Sequence, residues 1–170
     1  MIHKFLLIYT WFIKALLFFL PDAPIFMRFR GFLYSIGMGQ CGKNFQVAHN
    51  VILNSLEGLF VGDNVYIAMN NVVLAHGNVI IGDNVMIGPN CTITAGNHTF
   101  LNGSFRYGER REKAINIKDG CWVGANCVIL PGAVLPSCSI LGAGAVLTAS
   151  AETLPSGVYT GIPAKLIKTI

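Results

Sequence analysis

The sequence predicts an all-β fold, a left-handed parallel β-helix of about five triangular coils, on three observations. Apolar residues recur every six positions in Ile117, Val123, Ile129, Leu135, Leu141 and Leu147. The residue four places after each is small: Cys121, Cys127, Ala133, Ser139, Ala145 and Ala151. The same register runs upstream through Cys41, Val47 and Leu53, then Val61, Ile67 and Val73, then Ile81, Ile87 and Ile93, and every interruption follows a third hexad.

A fixed period of this kind marks a solenoid, because one repeat cannot bury its apolar side alone and must stack on its neighbours. Each hexad forms one short strand, and three strands close a triangle. The aliphatic side chain points into the prism. The small residue four later points inward near a corner, where a bulky one would not fit. Gly62-Asp63-Asn64 and Gly82-Asp83-Asn84 are residue types that suit the bends. The interruptions insert two residues between Leu53 and Val61, two between Val73 and Ile81, and 18 between Ile93 and Ile117. All three therefore fall on one corner of the triangle. The chain divides into an apolar segment over residues 1–40, the β-helix over 41–154 with an external loop at 99–116, and a tail over 155–170 that covers the far end.

Residues Phe5 to Leu20 are almost all apolar and stop at Pro21. The run is short for a bilayer span, which needs roughly 20 residues, and Lys14 within it costs about 3 kcal/mol on insertion scales. No small-residue cleavage site follows, which argues against a secretory leader. His3, Thr10 and Lys14 share one side of a helix, leaving a wide apolar face. Three placements stay open: lying on a membrane surface through residues 1–20, packing on the β-helix or neighbouring subunits, or crossing the bilayer. The stretch Phe26 to Gly37, with Arg28 and Arg30, continues the apolar and basic character.

With 53% hydrophobic and 12% charged residues and 19 glycines, the chain is too apolar for disorder. Its net charge of +4 is scattered, and no basic stripe points to nucleic acid. An anionic small ligand or a membrane surface fits better. The five cysteines form no C-x-x-C pair, and an odd number without a secretion signal points to a reducing compartment. The expected location is the cytoplasm or the inner face of the membrane. Cys91, Cys121 and Cys127 occupy the small inward position and read as core thiols. Val72, Val79, Ile80, Val128, Leu130 and Ile140 are expected on the outer faces, where a lone prism would leave them wet. A homotrimer with parallel axes is the predicted assembly.

Long loops on a regular scaffold usually carry function. The external loop holds Arg106, Tyr107, Glu109, Arg110, Arg111, Glu112 and Lys113, and His98 stands at its entrance. Taken alone, His98 is either a turn histidine or a base.

The ordered series Ile81-Gly82-Asp83-Asn84-Val85-Met86-Ile87-Gly88-Pro89-Asn90, Gly96-Asn97-His98, Cys121-Trp122-Val123-Gly124-Ala125, Pro131-Gly132-Ala133-Val134, Gly142-Ala143-Gly144 and Gly161-Ile162-Pro163-Ala164 resembles the hexapeptide-repeat O-acetyltransferases. The pattern is similar to the maltose, galactoside and nodulation-factor enzymes and to those of exopolysaccharide and O-antigen clusters, over about residues 41 to 168. The resemblance implies direct acetyl transfer from acetyl-CoA to a hydroxyl of a sugar or glycan acceptor, without a required metal, as in surface polysaccharide biosynthesis. It implies that His98 is the general base, since an imidazole can take the acceptor's proton near neutral pH. The family histidine is often followed by proline; here Thr99 follows. Asn70 falls near an acceptor-binding asparagine of the galactoside type, with a plain corner role as the alternative. Ala75 and His76 replace acidic residues of those enzymes, so the acceptor differs, and His76 either contacts it or only makes a turn. The coenzyme is implied to lie in a groove between subunits against Trp122, Ala125, Ala143 and Gly144, with Lys165 and Lys168 near its phosphates.

Rival readings are an N-acetyltransferase of an amino sugar nucleotide, a γ-carbonic-anhydrase-like metal lyase and a non-catalytic scaffold. The second uses a histidine pair five residues apart, which His49, His76 and His98 do not provide.

Overall fold

A computed structural model describes residues 2–170. Two helices, α1 (Ile2–Leu16) and α2 (Pro24–Ser35), precede the coils. Coil 1 is β1 (Gln40–Cys41), β2 (Gln46–Val47) and β3 (Ile52–Asn54). Coil 2 is β4 (Leu59–Val61), β5 (Tyr66–Ile67) and β6 (Val72–Leu74), and coil 3 is β7 (Val79–Ile81), β8 (Met86–Ile87) and β9 (Thr92–Thr94). A ribbon of β10 (Gly96–His98) and β11 (Arg110–Glu112) then leaves the prism. Coil 4 is β12 (Ile115–Ile117), β13 (Trp122–Val123) and β14 (Val128–Ile129), and coil 5 is β15 (Val134–Leu135), β16 (Ile140–Leu141) and β17 (Val146–Leu147). The chain ends in β18 (Gly157–Thr160) and β19 (Lys165–Thr169).

The strands of each coil fall on three parallel sheets, one per face, in the orders β1-β4-β7-β12-β15, β2-β5-β8-β13-β16 and β3-β6-β9-β14-β17. The hexad register predicts this, because residues three hexads apart stack directly: Val47 on Ile67, Ile67 on Ile87, Ile87 on Val123. Backbone hydrogen bonds run from coil to coil, as in Tyr66 N–H to Val85 O at 2.9 Å and Trp122 N–H to Ser139 O at 2.9 Å. Those bonds replace the ones a local helix or hairpin would make. The inward column, including Ile67, Ile87, Ile93, Ile129 and Leu135, is fully buried, as are Cys91, Cys121 and Cys127.

The corners between the first and second faces and between the second and third are turned by left-handed asparagines. Asn44, Asn64 and Asn84 lie at φ 56°, 57° and 56°, and Asn50, Asn70 and Asn90 at 56°, 60° and 60°. Asparagine tolerates this region better than other side chains bearing a Cβ. The side chains stack from coil to coil, with Asn50 Nδ2 donating to Asn70 Oδ1 at 2.8 Å.

Both ends of the prism are closed. α1 and α2 lie against β3 and β2 of coil 1 and bury Leu6, Ile13, Leu17, Met27 and Tyr34 with Phe45 and Leu56. Proline at the start of α2 fits a helix whose first amide has no partner. Arg30, though buried, is held by Asp22 Oδ1 at 2.7 Å and by the carbonyls of Leu20 and Val47. Asp22 also accepts from the His49 amide and pairs with its ring, which ties the helices to coil 1. Burial would raise the Asp22 pKa, but the hydrogen bonds from His49 and Arg30 outweigh it and hold it below the ordinary carboxylate value. At the other end β18 adds one more parallel rung to the second face and β19 folds back antiparallel on it. Buried Tyr159 plugs that end, its hydroxyl donating to Leu154 O at 2.6 Å.

Two expectations are corrected. Val79 is fully buried, not on an outer face. The longer corner turn makes β7 three residues long, and strand alternation puts both Val79 and Ile81 inside around exposed Ile80. The external excursion occupies 96–113, not 99–116: Lys113 N–H returns to Ala95 O at 3.0 Å, and Asn116 lies within β12. α1 packs on its own prism, and no helix of the described residues is long and apolar enough to cross a membrane.

Candidate active site

All three insertions lie on the corner between the third and first faces. Its successive turns are Ser55 to Gly58, Ala75 to Asn78 and the long excursion after Ala95. Gly77 is required there, since a Cβ would stand 2.9 Å from Glu112 Cβ and 2.9 Å from Lys113 N. The ribbon base therefore sits directly on the turn that carries His76.

His98 is exposed and lies three residues beyond Ala95, which keeps it within roughly 10 Å of this corner. In the antiparallel ribbon Gly96 pairs with Glu112 and His98 with Arg110. Register partners point to the same side, so His98, Arg110 and Glu112 share one face of the ribbon. The ribbon lies near His76, whose titration is shifted by burial first, then by the charges of Arg110 and His3, against Glu112 and Glu57. The sum holds the His76 pKa below the ordinary histidine value, favouring the neutral ring.

His76 is fixed from beneath. Ser55 Oγ lies 2.8 Å from His76 Nδ1, and the ring of His3 stands 5.2 Å away. His3 Nδ1 is 2.8 Å from Glu57 Oε1. The corner thus gathers His3, Ser55, Glu57 and His76, and the ribbon that bears His98 and Arg110 rises from it. Sequence reading did not single out His3, Ser55 or Glu57 for this site. The two-residue insertions at their corner were the available signal, since they aligned Ser55 to Glu57 beneath Ala75 to Gly77.

The other predicted residues lie elsewhere. Asn70 turns the corner between the second and third faces, in the asparagine stack, one face away from His98. Trp122, 47% exposed, stands on the second face beside Met86 and Ile140. Ala125 and Gly144 are stacked on the Asn70 corner, with Gly144 N–H donating to Ala125 O at 2.9 Å, and Ala143 is exposed next to them. The column continues into the tail, where Val146 N–H donates to Gly161 O at 3.0 Å and Ala164 N–H to Val146 O at 2.8 Å. Lys165 and Lys168 follow on exposed β19. A cleft of about 730 Å³ at the tail end, between Thr148 to Leu154 and Pro163 to Leu166, includes Lys165 but not the His98 corner. Among the described residues no three or more His, Cys, Asp or Glu side chains gather as metal ligands.

The family model for the hexapeptide repeat of succinyl-transferase matches residues 78–96 and 115–149, on either side of the ribbon. A maltose O-acetyltransferase from Clostridium difficile superposes with a TM-score of 0.83 at 26% identity, over 98% of this chain and 89% of that one. A hexapeptide-repeat acetyltransferase from Vibrio cholerae, solved with acetyl coenzyme A, gives a TM-score of 0.81 at 24% identity, over 98% of this chain and 87% of that one. A Schizosaccharomyces pombe protein whose name assigns it provisionally to the acetyltransferases is 41% identical over 56 residues, 33% of this chain. The chain spans about a quarter of that curated relative's length, 26%. The coils share the fold of these solved acetyltransferases, and the hexapeptide-repeat model matches the hexads before and after the ribbon.

Proposed function

We propose that the protein is an acetyltransferase that moves the acetyl group of acetyl-CoA to a hydroxyl of a sugar or glycan, with His98 as general base. The observation that carries this reading is the axial order of the candidate residues. Trp122 and Ala125 lie in coil 4, Ala143 and Gly144 in coil 5, and Lys165 and Lys168 beyond it. The His98 ribbon leaves between coils 3 and 4. A coenzyme laid along this column has its thioester level with the ribbon and its phosphates at the lysines. Small side chains along the column let the pantetheine arm approach the backbone.

In the reaction a ring nitrogen of His98 takes the acceptor hydroxyl proton as that oxygen attacks the thioester carbonyl. The carbon–sulfur bond then breaks, and the imidazolium returns the proton to the departing thiolate. The amides of Trp122 and Gly124 are committed to Ser139 O and Leu141 O, so the Ala125 N–H is the proposed donor to the oxyanion. Ser55 and neutral His76 hold the acceptor side of the corner.

The coenzyme column and His98 sit on different corners, separated by a face about 17 Å wide at ~3.3 Å per residue. A second copy, packed with its column against the His98 corner, completes the site, and three such contacts close a homotrimer. The protein works in the cytoplasm or at the inner membrane face, on acceptors of surface polysaccharide synthesis. Thiol release from acetyl-CoA against a panel of sugars, sugar nucleotides and lipid-linked glycans tests the reading. An alkali-labile ester product supports it. An alkali-stable amide on an amino sugar would replace it with N-acetylation, and acceptor-independent or absent release would refute it.

A further inference from the structure

The helical cap at coil 1 is amphipathic in an unusual sense. The half-buried stripe of α1 contains His3, Thr10 and Lys14, whereas Phe5, Ile8, Trp11, Phe12 and, just beyond it, Phe19 point outward, each more than half exposed. On α2, Ile25 and Phe32 are also more than half exposed. The charge at its edge is mainly positive. Residues 1–40 contain Lys4, Lys14 and Arg28 besides the buried Arg30, and one acid, Asp22, which is already paired with Arg30 and His49; from the turn after coil 1, Glu57 reaches α1, where it meets His3. Apolar rings flanked by uncompensated cations match the boundary between acyl chains and anionic headgroups. A second copy docked through the same face would set these cations against one another. In a parallel assembly the caps of all copies lie at the same end, so oligomerisation multiplies the surface and raises its avidity.

The cap also adjoins the site. His3, in the first turn of α1, is hydrogen-bonded to Glu57 and packs near His76. The outward stripe begins two residues later at Phe5. We infer that α1 and α2 seat the N-terminal end of the prism on an anionic lipid surface, and that the acetylated hydroxyl belongs to a saccharide carried there on a lipid. The second half rests on the acetyl-transfer reading; the first does not.

The test is flotation of the full chain with phosphatidylcholine vesicles, with and without phosphatidylglycerol. The variants are Phe5→Ser/Phe12→Ser/Phe19→Ser, Phe12→Ser alone in case the triple change misfolds, and Lys4→Ala/Lys14→Ala. Circular dichroism and coenzyme A binding verify folding. The wild type should float with anionic vesicles at least tenfold more tightly than with neutral ones, since two lysines contribute on the order of tenfold together or more. The lysine variant should lose that preference and the serine variants should lose binding. Turnover on a vesicle-embedded lipid-linked saccharide should exceed that on the same saccharide free, and the excess should vanish in the serine variants while turnover on the free form persists. Folded wild type that fails to float overturns the docking. So does flotation unchanged in serine variants whose mass in light scattering falls, which makes the face a contact between copies. Flotation without turnover on any acceptor overturns the acceptor assignment and the acetyl-transfer reading, and leaves the docking standing.

Discussion

His98 and Arg110 are register partners across the ribbon that leaves the third corner, so the two side chains share one face of it. Arg110 also lies near enough to His76 for its charge to lower that histidine's pKa. An acceptor held at this corner in the proposed reaction would meet His98 and His76 from the two sides of the ribbon base.

His98→Ala should lower turnover by roughly two to four orders of magnitude, the usual worth of a positioned general base. Acetyl-CoA affinity should be nearly unchanged, because His98 meets the reacting end of the coenzyme and not its phosphates. His98→Asn should be as inactive, since the amide hydrogen-bonds but does not accept the proton. Steady-state kinetics beside calorimetric coenzyme binding check this; near-normal turnover in both variants would move the base to His76.

Two inactive variants should complement each other. His98→Ala removes the base from one corner, and Ala143→Trp blocks the column on another with an exposed bulky ring. If base and column come from adjacent copies of a trimer, random co-refolding of equal amounts restores about a quarter of the grooves. Activity in the mixture with none in either parent is the expected result, and light scattering should give three times the chain mass.

Stability should depend on pH through His76. Its folded pKa lies below the ordinary value, chiefly through burial. The unfolded chain then binds the proton more readily, so stability is complete above about pH 6.5 and declines as pH falls below it. The melting temperature of wild type should drop between pH 7 and pH 5 by more than that of His76→Gln. Equal slopes would remove His76 from the account.

Asp22→Ala should cost about 3 kcal/mol, because it leaves the buried guanidinium of Arg30 without its counter-ion. Arg30 already has one unpartnered nitrogen, Nε, and the remaining carbonyl acceptors supply no full charge. The lowered pKa of Asp22 gives the opposite origin but the same direction as His76: its contribution is present above the unfolded carboxylate value and is lost as pH falls through the folded one. Urea unfolding of Asp22→Ala at pH 7 checks the magnitude.

In the core, Ile129→Ala should cost about 2–5 kcal/mol, and Ile129→Val about 1 kcal/mol, since a fully buried coil residue leaves a cavity the stacked strands cannot close. A cost below that of an exposed control such as Val134→Ala would contradict the stacking.

The six-residue period by itself determined the coils, their three faces and the corner that takes every insertion. That is because each hexad's inward aliphatic and small corner residue report a purely local geometry, repeated until chance is excluded. It also located His98, since an 18-residue break in so regular a pattern is conspicuous. Only the tertiary structure decided what stacking brings together. Val79 went inside because a longer turn lengthened β7, which no hexad count reveals. His3 met Glu57 and His76 because α1 crosses coil 1, and the corner that carries Ala125 and Gly144 fell one face away from His98. Those are relations between residues distant in the chain. The packing of helices on coils and of coils on coils sets them, whereas periodicity records only which side of its own strand a residue faces.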